Sequence, residues 1–205
     1  MLLGLARNVE IKARVDDLAL IRKTVAALAP GPGEIIDQTD TFFVVPQGRL
    51  KVRAFPDGSG ELISYQRSDQ PGPKESVYTR VLCQDAPALV RALGGVLPVR
   101  GDVRKRREVF LVGRTRVHLD EVERLGCFVE LEVVLSPGER VEKGHREAQA
   151  LLRSLDIPSA ALVAEAYIDL LEAIDASVAA SARSIIANPS RSSSSVIDSG
   201  GFVKK

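Results

Sequence analysis

The sequence contains little cysteine, few aromatic residues and no long apolar run. Its two cysteines, Cys83 and Cys127, do not have the spacing of metal ligands, so we interpret them as reduced structural thiols. No apolar run approaches the roughly 20 residues that a membrane-spanning helix needs. The apolar residues 1–6 are too few for the core of a signal peptide, and no basic stretch precedes them. We therefore expect a cytoplasmic protein without a membrane partner.

The sequence also lacks an excess of one charge. Lysine and arginine number 28 and aspartate and glutamate 27, which gives a net charge of +1. Domains that bind nucleic acid usually carry a marked basic excess, so we expect no nucleic-acid partner. Aromatic residues make up 4% of the chain, and no aromatic cage or base-reading motif stands out. The length of 205 residues and the hydrophobic content of 45% fit one compact domain.

Four short stretches alternate polar, mostly charged residues with apolar residues at a period of two. The polar positions in chain order are Asn8, Glu10, Lys12 and Arg14, then Arg49, Lys51 and Arg53, then Arg116, His118 and Asp120, then Glu130 and Glu132. Successive side chains of a strand point to opposite faces, so one face of each strand is charged and the other apolar. This pattern predicts a closed or strongly curved barrel that has helices outside and a wet, charged interior.

Periodicity and turn residues predict eight strands and four helices, an α+β fold. The strands are expected near residues 7–15, 35–45, 48–55, 60–68, 74–82, 98–112, 114–122 and 126–136. The helices are expected over 16–29 with Asp16 as a candidate N-cap, from 85–87 onwards, over 141–155, and from Ser159 past Leu171. Tight turns between short strands favour antiparallel pairing. The domain should span 1–173, and the Ser/Gly-rich segment 174–205 is predicted to be a disordered tail.

The charged motifs, taken in order, resemble those of the CYTH superfamily of triphosphate tunnel metalloenzymes. They read Asn8-x-Glu10-x-Lys12, Lys51-x-Arg53, Tyr65-Gln66-Arg67, Lys105-x-Arg107, Arg116-Val117-His118-Leu119-Asp120 and Glu130-x-Glu132. The first motif departs from the family signature E-x-E-x-K, because Asn8 stands in place of the first acid. The resemblance covers residues 7–173 and implies a closed or nearly closed antiparallel eight-stranded barrel, the triphosphate tunnel, with helices packed outside.

The resemblance also implies roles for the residues of the charged face. It assigns metal binding, with Mg²⁺ or Mn²⁺ as the cofactor, to Glu10, Asp120, Glu130 and Glu132. It assigns substrate binding to Lys12, Lys51, Arg53, Arg67, Lys105, Arg107 and Arg116. The catalytic set that follows is Glu10, Lys12, Lys105, Glu130 and Glu132.

The charge expected inside the barrel leads to the same chemistry. Together with Arg14, Arg80 and Glu61, the inner face would hold nine cations and five carboxylates, an excess of four positive charges. Desolvated unpaired ions cost several kcal/mol each, so such an interior needs water and an anion. A linear triphosphate fits, because the cations lie on at least four strands and phosphate oxygens accept hydrogen bonds from arginine and lysine. Alternation places Lys105 and Arg107 inside and leaves Arg104 and Arg106 outside.

Several functions remain open on this sequence. The first is a metal-dependent hydrolase of inorganic tripolyphosphate, thiamine triphosphate or a nucleoside triphosphate, acting as a monomer or homodimer. The alternatives are a class IV-type adenylyl cyclase and a non-catalytic polyphosphate or nucleotide binder, or ion pairs with no ligand at all. The His-Phe pair that precedes the first motif of well-known class IV cyclases has no counterpart before Asn8, which favours hydrolysis. His118 is either a hydrogen-bonded barrel residue or a proton donor. Helical spacing favours a packing role for Tyr167, and the resemblance keeps a functional role as the alternative, because the family often has a tyrosine near this helix.

Overall fold

The eight strands form a closed antiparallel barrel. The computed structural model describes residues 6–187 except Pro71, with side chains described up to residue 183. The strands are β1 Ala6–Val15, β2 Glu34–Phe43, β3 Arg49–Ala54, β4 Gly60–Arg67, β5 Lys74–Cys83, β6 Val99–Val112, β7 Thr115–Val122 and β8 Gly126–Val134. They follow the order β1-β5-β4-β3-β2-β6-β7-β8, and β8 closes the barrel on β1. The predicted α+β fold with a closed eight-stranded barrel is therefore confirmed.

The described part of the chain contains four α-helices besides the barrel, and two of their starts differ from the prediction. They are α1 Leu18–Leu28, α2 Ala86–Gly94, α3 Val141–Ser154 and α4 Tyr167–Ala187. The N-cap of α1 is Asp17, not Asp16, because the Asp17 carboxylate accepts from the Ala19 amide at 2.8 Å. Ser159 begins a short 3₁₀ turn that ends at residue 161 instead of an α-helix. Helix α4 begins only at Tyr167, where Asp169 accepts from the Ala166 amide at 2.8 Å.

The apolar faces of the strands point outwards and pack beneath the helices. Ile11, Val117 and Leu131 from three neighbouring strands lie in one buried cluster with Val25 of α1 and Leu152 of α3. Burying a side chain of this size contributes about 1.5–3 kcal/mol. The hydrophobic core therefore lies between barrel and helices, which leaves the inner faces of the strands free to carry charge.

The chain divides into a unit of residues 1–170, which contains the barrel, and a second unit of residues 171–205. In the second unit α4 continues to Ala187, so residues 174–187 are helical where the sequence predicted disorder. This stretch is rich in alanine, the residue with the highest helix propensity. The rest of the predicted tail, residues 188–205, lies outside the described residues. Among the residues described, no helix is long and apolar enough to cross a membrane.

Candidate functional site

The barrel encloses a cavity of about 340 Å³ whose lining comes from all eight strands. Its charged lining is contributed by eight cations, Lys12, Lys51, Arg53, Arg67, Arg80, Lys105, Arg107 and Arg116, and by six carboxylates, Glu10, Glu34, Asp40, Glu61, Glu130 and Glu132. A hydrophobic interior of this width would be filled by side chains. The charged tunnel predicted from alternation is therefore present.

The excess of positive charge in the cavity is two, not the four expected from the sequence. Arg14 does not line the cavity, because its guanidinium donates to the Leu125 carbonyl at 2.6 Å and lies over the Phe128 ring. Glu34 and Asp40 of β2 line the cavity and were missed, whereas Asp120, which the sequence placed on the inner face, is not among the lining residues. Strand β2 alternates Ile36, Gln38, Asp40 and Phe42 on its inner face, so its period-two pattern was the available signal. The interior is closer to electrical balance than predicted.

An aspartate on the neighbouring strand holds the Lys51-x-Arg53 pair of β3. Arg53 lies opposite Asp40 in the β2–β3 register and donates to it from Nε at 2.9 Å and from Nη2 at 3.3 Å. Lys51 Nζ donates to the same carboxylate at 2.6 Å. Burial alone would raise the pKa of Asp40, but Arg53 and Lys51 outweigh it and hold that pKa far below the usual range. Asp40 is therefore charged at neutral pH.

The Lys105-x-Arg107 pair of β6 repeats this arrangement with Asp120 of β7. Arg107 lies opposite Asp120 in the register and donates to it from Nε and from Nη2, each at 2.6 Å. Lys105 Nζ donates at 3.1 Å, and the Tyr167 hydroxyl donates at 3.0 Å. Asp120 is fully buried, and Arg107 and Lys105 hold its pKa well below the usual range against the effect of burial. Both carboxylate oxygens are thus occupied, which leaves Asp120 poorly placed for its predicted metal role.

Tyr167 belongs to the cavity wall, whereas the sequence favoured a packing role over a functional one. Its ring centroid is 3.9 Å from Lys12 Nζ and 4.9 Å from Lys105 Nζ, within the range of cation–π attraction. The edge of the ring packs against Phe128 with centroids 4.9 Å apart. Periodicity could not separate the two interpretations, because Tyr167 is also buried with an exposure of 6%. Tyr167 therefore fixes the position of two predicted phosphate-binding lysines.

Glu10, Glu130 and Glu132 lie side by side on β1 and β8. Glu10 is opposite Glu132 in the register, and Lys12 is opposite Glu130. Each acid has a cationic partner: Arg67 is 2.6 Å from Glu10, Lys12 is 3.4 Å from Glu130 and Arg116 is 2.8 Å from Glu132. Burial raises the pKa of Glu10 despite Arg67, and the charges of Glu130 and Glu132 add to the rise. The structure therefore places three of the four predicted metal ligands at neighbouring positions of two paired strands.

These acids fit a divalent ion in their chemistry but do not converge in their present geometry. Carboxylate oxygens are the hard ligands that Mg²⁺ and Mn²⁺ prefer. Asn8 Oδ1 is buried beside them without a hydrogen-bond partner, so it is a fourth oxygen available to a cation or its water. Within residues 6–187, however, no three histidine, cysteine or acidic side chains come close enough to hold a metal ion. Arg67 and Arg116 would have to release Glu10 and Glu132 first.

His118 lines the cavity between two of these acids. Its Nδ1 atom is 3.8 Å from Glu130 and 3.9 Å from Glu132, beyond hydrogen-bond distance, and has no hydrogen-bond partner. Burial lowers the pKa of His118, and Arg107 adds to this effect. The imidazole is therefore neutral at neutral pH, a form in which it is a poor proton donor.

The neighbouring surface follows the predicted alternation. Lys105 and Arg107 are buried, while Arg104 and Arg106 are exposed on the other face of β6, which confirms the predicted alternation.

Sequence reasoning missed Lys74, which is 1% exposed and donates from Nζ to the Ala164 carbonyl at 2.8 Å. Burial lowers the pKa of Lys74 to about 8, and Arg67 contributes to the shift. Lys74 begins the same alternation that ends at Arg80, so its position on β5 was the signal.

Comparison with known proteins supports the fold and assigns the family. The structure resembles the PH1012 protein of Pyrococcus horikoshii OT3 with a TM-score of 0.71 and 24% identity, over 80% of this chain and 98% of that one. A conserved hypothetical protein of Pyrococcus furiosus matches with a TM-score of 0.71 and 20% identity, over 80% and 99%. A Vibrio parahaemolyticus protein provisionally described as an adenylate cyclase matches with a TM-score of 0.65 and 18% identity, over 80% and 97%.

The sequence comparisons are more specific than these structural likenesses. No curated protein matches the chain significantly. The model of the CYTH domain matches residues 6–167, which include every strand of the barrel. The chain therefore belongs to the CYTH domain family.

Proposed function

We propose that this protein is a metal-dependent hydrolase of triphosphate-containing substrates, which it binds inside the barrel. Proteins with a CYTH domain are typically triphosphatases or cyclases, and the tunnel enzymes generally use divalent metal ions. The observation that carries the proposal is the cavity itself, in which cations from six different strands surround one enclosed space. A ligand there meets positive charge along its whole length.

A linear polyphosphate fits this distribution of charge better than a single phosphate group. Its oxygens repeat along a chain, so several cations can bind at once, and each charge-assisted hydrogen bond contributes about 1.5–3 kcal/mol. Lys51 and Lys105 each donate one hydrogen bond to an aspartate, and an ammonium group carries three donors. Both lysines therefore have donors left for phosphate oxygens.

Different residues of the site bind the phosphates, bind the metal ion and position the cations. Lys12, Lys105 and Arg107 hold the phosphates near Tyr167, and Lys51, Arg53, Arg67 and Arg116 complete the cationic wall. A divalent ion held by Glu10, Glu130 and Glu132 would neutralise charge on the phosphate oxygens as the P–O bond breaks. Asp120 orients the cations of β6 instead of binding metal. Which ion is used, a cytoplasmic location and a monomeric or homodimeric state remain predictions.

A non-catalytic polyphosphate binder is the second candidate, and one observation favours it. Glu10, Glu130 and Glu132 are each engaged by a cation, and Asn8 contributes no charge where the family signature has an acid. A binder would keep the cationic wall and lose the metal. This candidate retains the substrate class but removes turnover.

One assay distinguishes these functions. The purified chain is incubated with tripolyphosphate, thiamine triphosphate or ATP, each with Mg²⁺ or Mn²⁺, and phosphate, pyrophosphate and cyclic AMP are resolved. We expect release of phosphate from at least one substrate. Cyclic AMP with pyrophosphate would identify a cyclase, and binding without product would identify the non-catalytic protein.

A further inference from the structure

Asp40 is a carboxylate buried among the cations of the cavity. It is 2% exposed on β2, and besides Lys51 and Arg53 it accepts from Gln38 Nε2 at 3.1 Å. The second Nη atom of Arg53 is directed elsewhere, 3.6 Å from Glu61. Each oxygen of Asp40 therefore accepts hydrogen bonds from side chains of the cavity wall, and neither is free to bind a cation of the ligand.

Lys51 depends on Asp40 for its charge. Burial lowers the pKa of Lys51 to about 8, and Asp40 is the main group that opposes this fall. Arg53 on the same strand and Lys105 on β6 lower it further, and the Tyr65 ring of β4 lies 5.9 Å from Nζ. Without the carboxylate, two cations would face the ammonium group in a buried space. The pKa of Lys51 would then fall further.

We propose that Asp40 is a positioning residue that holds Lys51 and Arg53 as one anion-binding pair in the cavity wall. The inference rests on the proposed function, because the anion is the triphosphate of the substrate. Asp40 acts through the two cations and does not touch the ligand. The opposite hypothesis is that Asp40 competes with phosphate for them. The free donors of Lys51 favour positioning, since pairing with Asp40 leaves the ammonium group able to bind phosphate oxygens.

The test is the affinity of the full chain for tripolyphosphate, measured by calorimetry at pH 5.5 and pH 7.5 at constant ionic strength. The variants are Asp40→Asn, Lys51→Arg and the double variant, and the control is Asp37→Asn, which removes an exposed carboxylate from the same strand. We expect Asp40→Asn to weaken binding at least tenfold at pH 7.5 and less than threefold at pH 5.5, where Lys51 recovers its proton. In the Lys51→Arg background the effect of Asp40→Asn on affinity should be the same at both pH values, because arginine stays charged.

Three results would overturn the inference. Tighter binding by Asp40→Asn would make Asp40 a competitor, and an equal loss at both pH values in both backgrounds would make it merely structural. If Asp40→Asn does not fold, the Lys51→Arg variant is compared with the wild type instead. The tripolyphosphate affinity of the wild type should decline above pH 8, where Lys51 loses its proton. An equal decline in Lys51→Arg overturns the inference. Wild-type protein that binds none of tripolyphosphate, thiamine triphosphate and ATP at either pH refutes the proposed function itself, which distinguishes the two failures.

Discussion

Removal of the Lys105 charge should weaken triphosphate binding strongly, whereas removal of the adjacent Arg104 charge should not. Lys105→Met keeps the length of a side chain that lines the cavity and is 3% exposed, and it deletes the ammonium group. The loss of one charge-assisted hydrogen bond to phosphate is about 1.5–3 kcal/mol. Since about 1.4 kcal/mol is a factor of ten, we expect affinity to fall roughly 10- to 100-fold.

The same substitution should leave the protein folded. Breaking a buried ion pair outright costs about 3–5 kcal/mol, because the remaining ion is unpaired. Asp120 would keep its two hydrogen bonds from Arg107 and the one from Tyr167, so it does not become an unpaired charge. The melting temperature should therefore fall by several degrees at most, and the loss of affinity can be measured on folded protein.

Arg104→Met is the matched control one residue away. The Arg104 side chain is 64% exposed and lies 3.8 Å from Glu123, so its loss should change stability by about 0.5 kcal/mol or less. Tripolyphosphate affinity, measured by calorimetry at about 0.15 M salt to screen surface charge, should change less than threefold. Equal effects of the two substitutions would refute the argument from strand alternation. No effect of either would mean that phosphate does not lie against β6.

The other predictions concern the aromatic ring, the metal and acid stability. Tyr167→Phe removes the hydroxyl bound to Asp120 but keeps the ring, so thermal denaturation should show a loss of about 1 kcal/mol and calorimetry an almost unchanged affinity. Asn8→Glu adds a carboxylate to the cavity wall that also contains Glu10, and it should lower the Mg²⁺ or Mn²⁺ concentration for half-maximal activity. An unchanged metal titration would contradict the metal assignment. The folded pKa of Glu132 is about 2 and its unfolded value about 4.5, so its stabilisation, on the order of 3 kcal/mol, is complete above pH 4.5 and lost as pH falls to 2. Glu132→Gln should flatten this acid limb in denaturant titrations, and an identical limb would contradict the ion pair.

Strand alternation was enough to predict the barrel, because a period of two is visible in single stretches of sequence. Glu10 and Lys12 of β1 and the charges of β6 and β8 were placed on the correct face for this reason, as the burial of Lys105 beside exposed Arg104 confirms. Asp40 was missed although it shares that period, because β2 carries uncharged residues at the flanking inner positions. Its role becomes visible only from the register, which places it opposite Arg53. Register depends on contacts between distant segments, and a single sequence does not contain them.

The near balance of charge inside the cavity changes what binding a triphosphate means. The sequence suggested a barrel of unpaired cations, which would attract an anion but would be costly to fold. In the structure nearly every cation of the cavity is already paired with a carboxylate. In both K-x-R pairs an aspartate lies opposite the arginine on the neighbouring strand. A triphosphate therefore joins or replaces existing ion pairs instead of neutralising free charges. Affinity then depends on which carboxylates stay in place, such as Asp40 and Asp120, and which give up their cations, such as Glu10 and Glu132. Substitution of an internal acid should thus alter binding as much as substitution of a cation does.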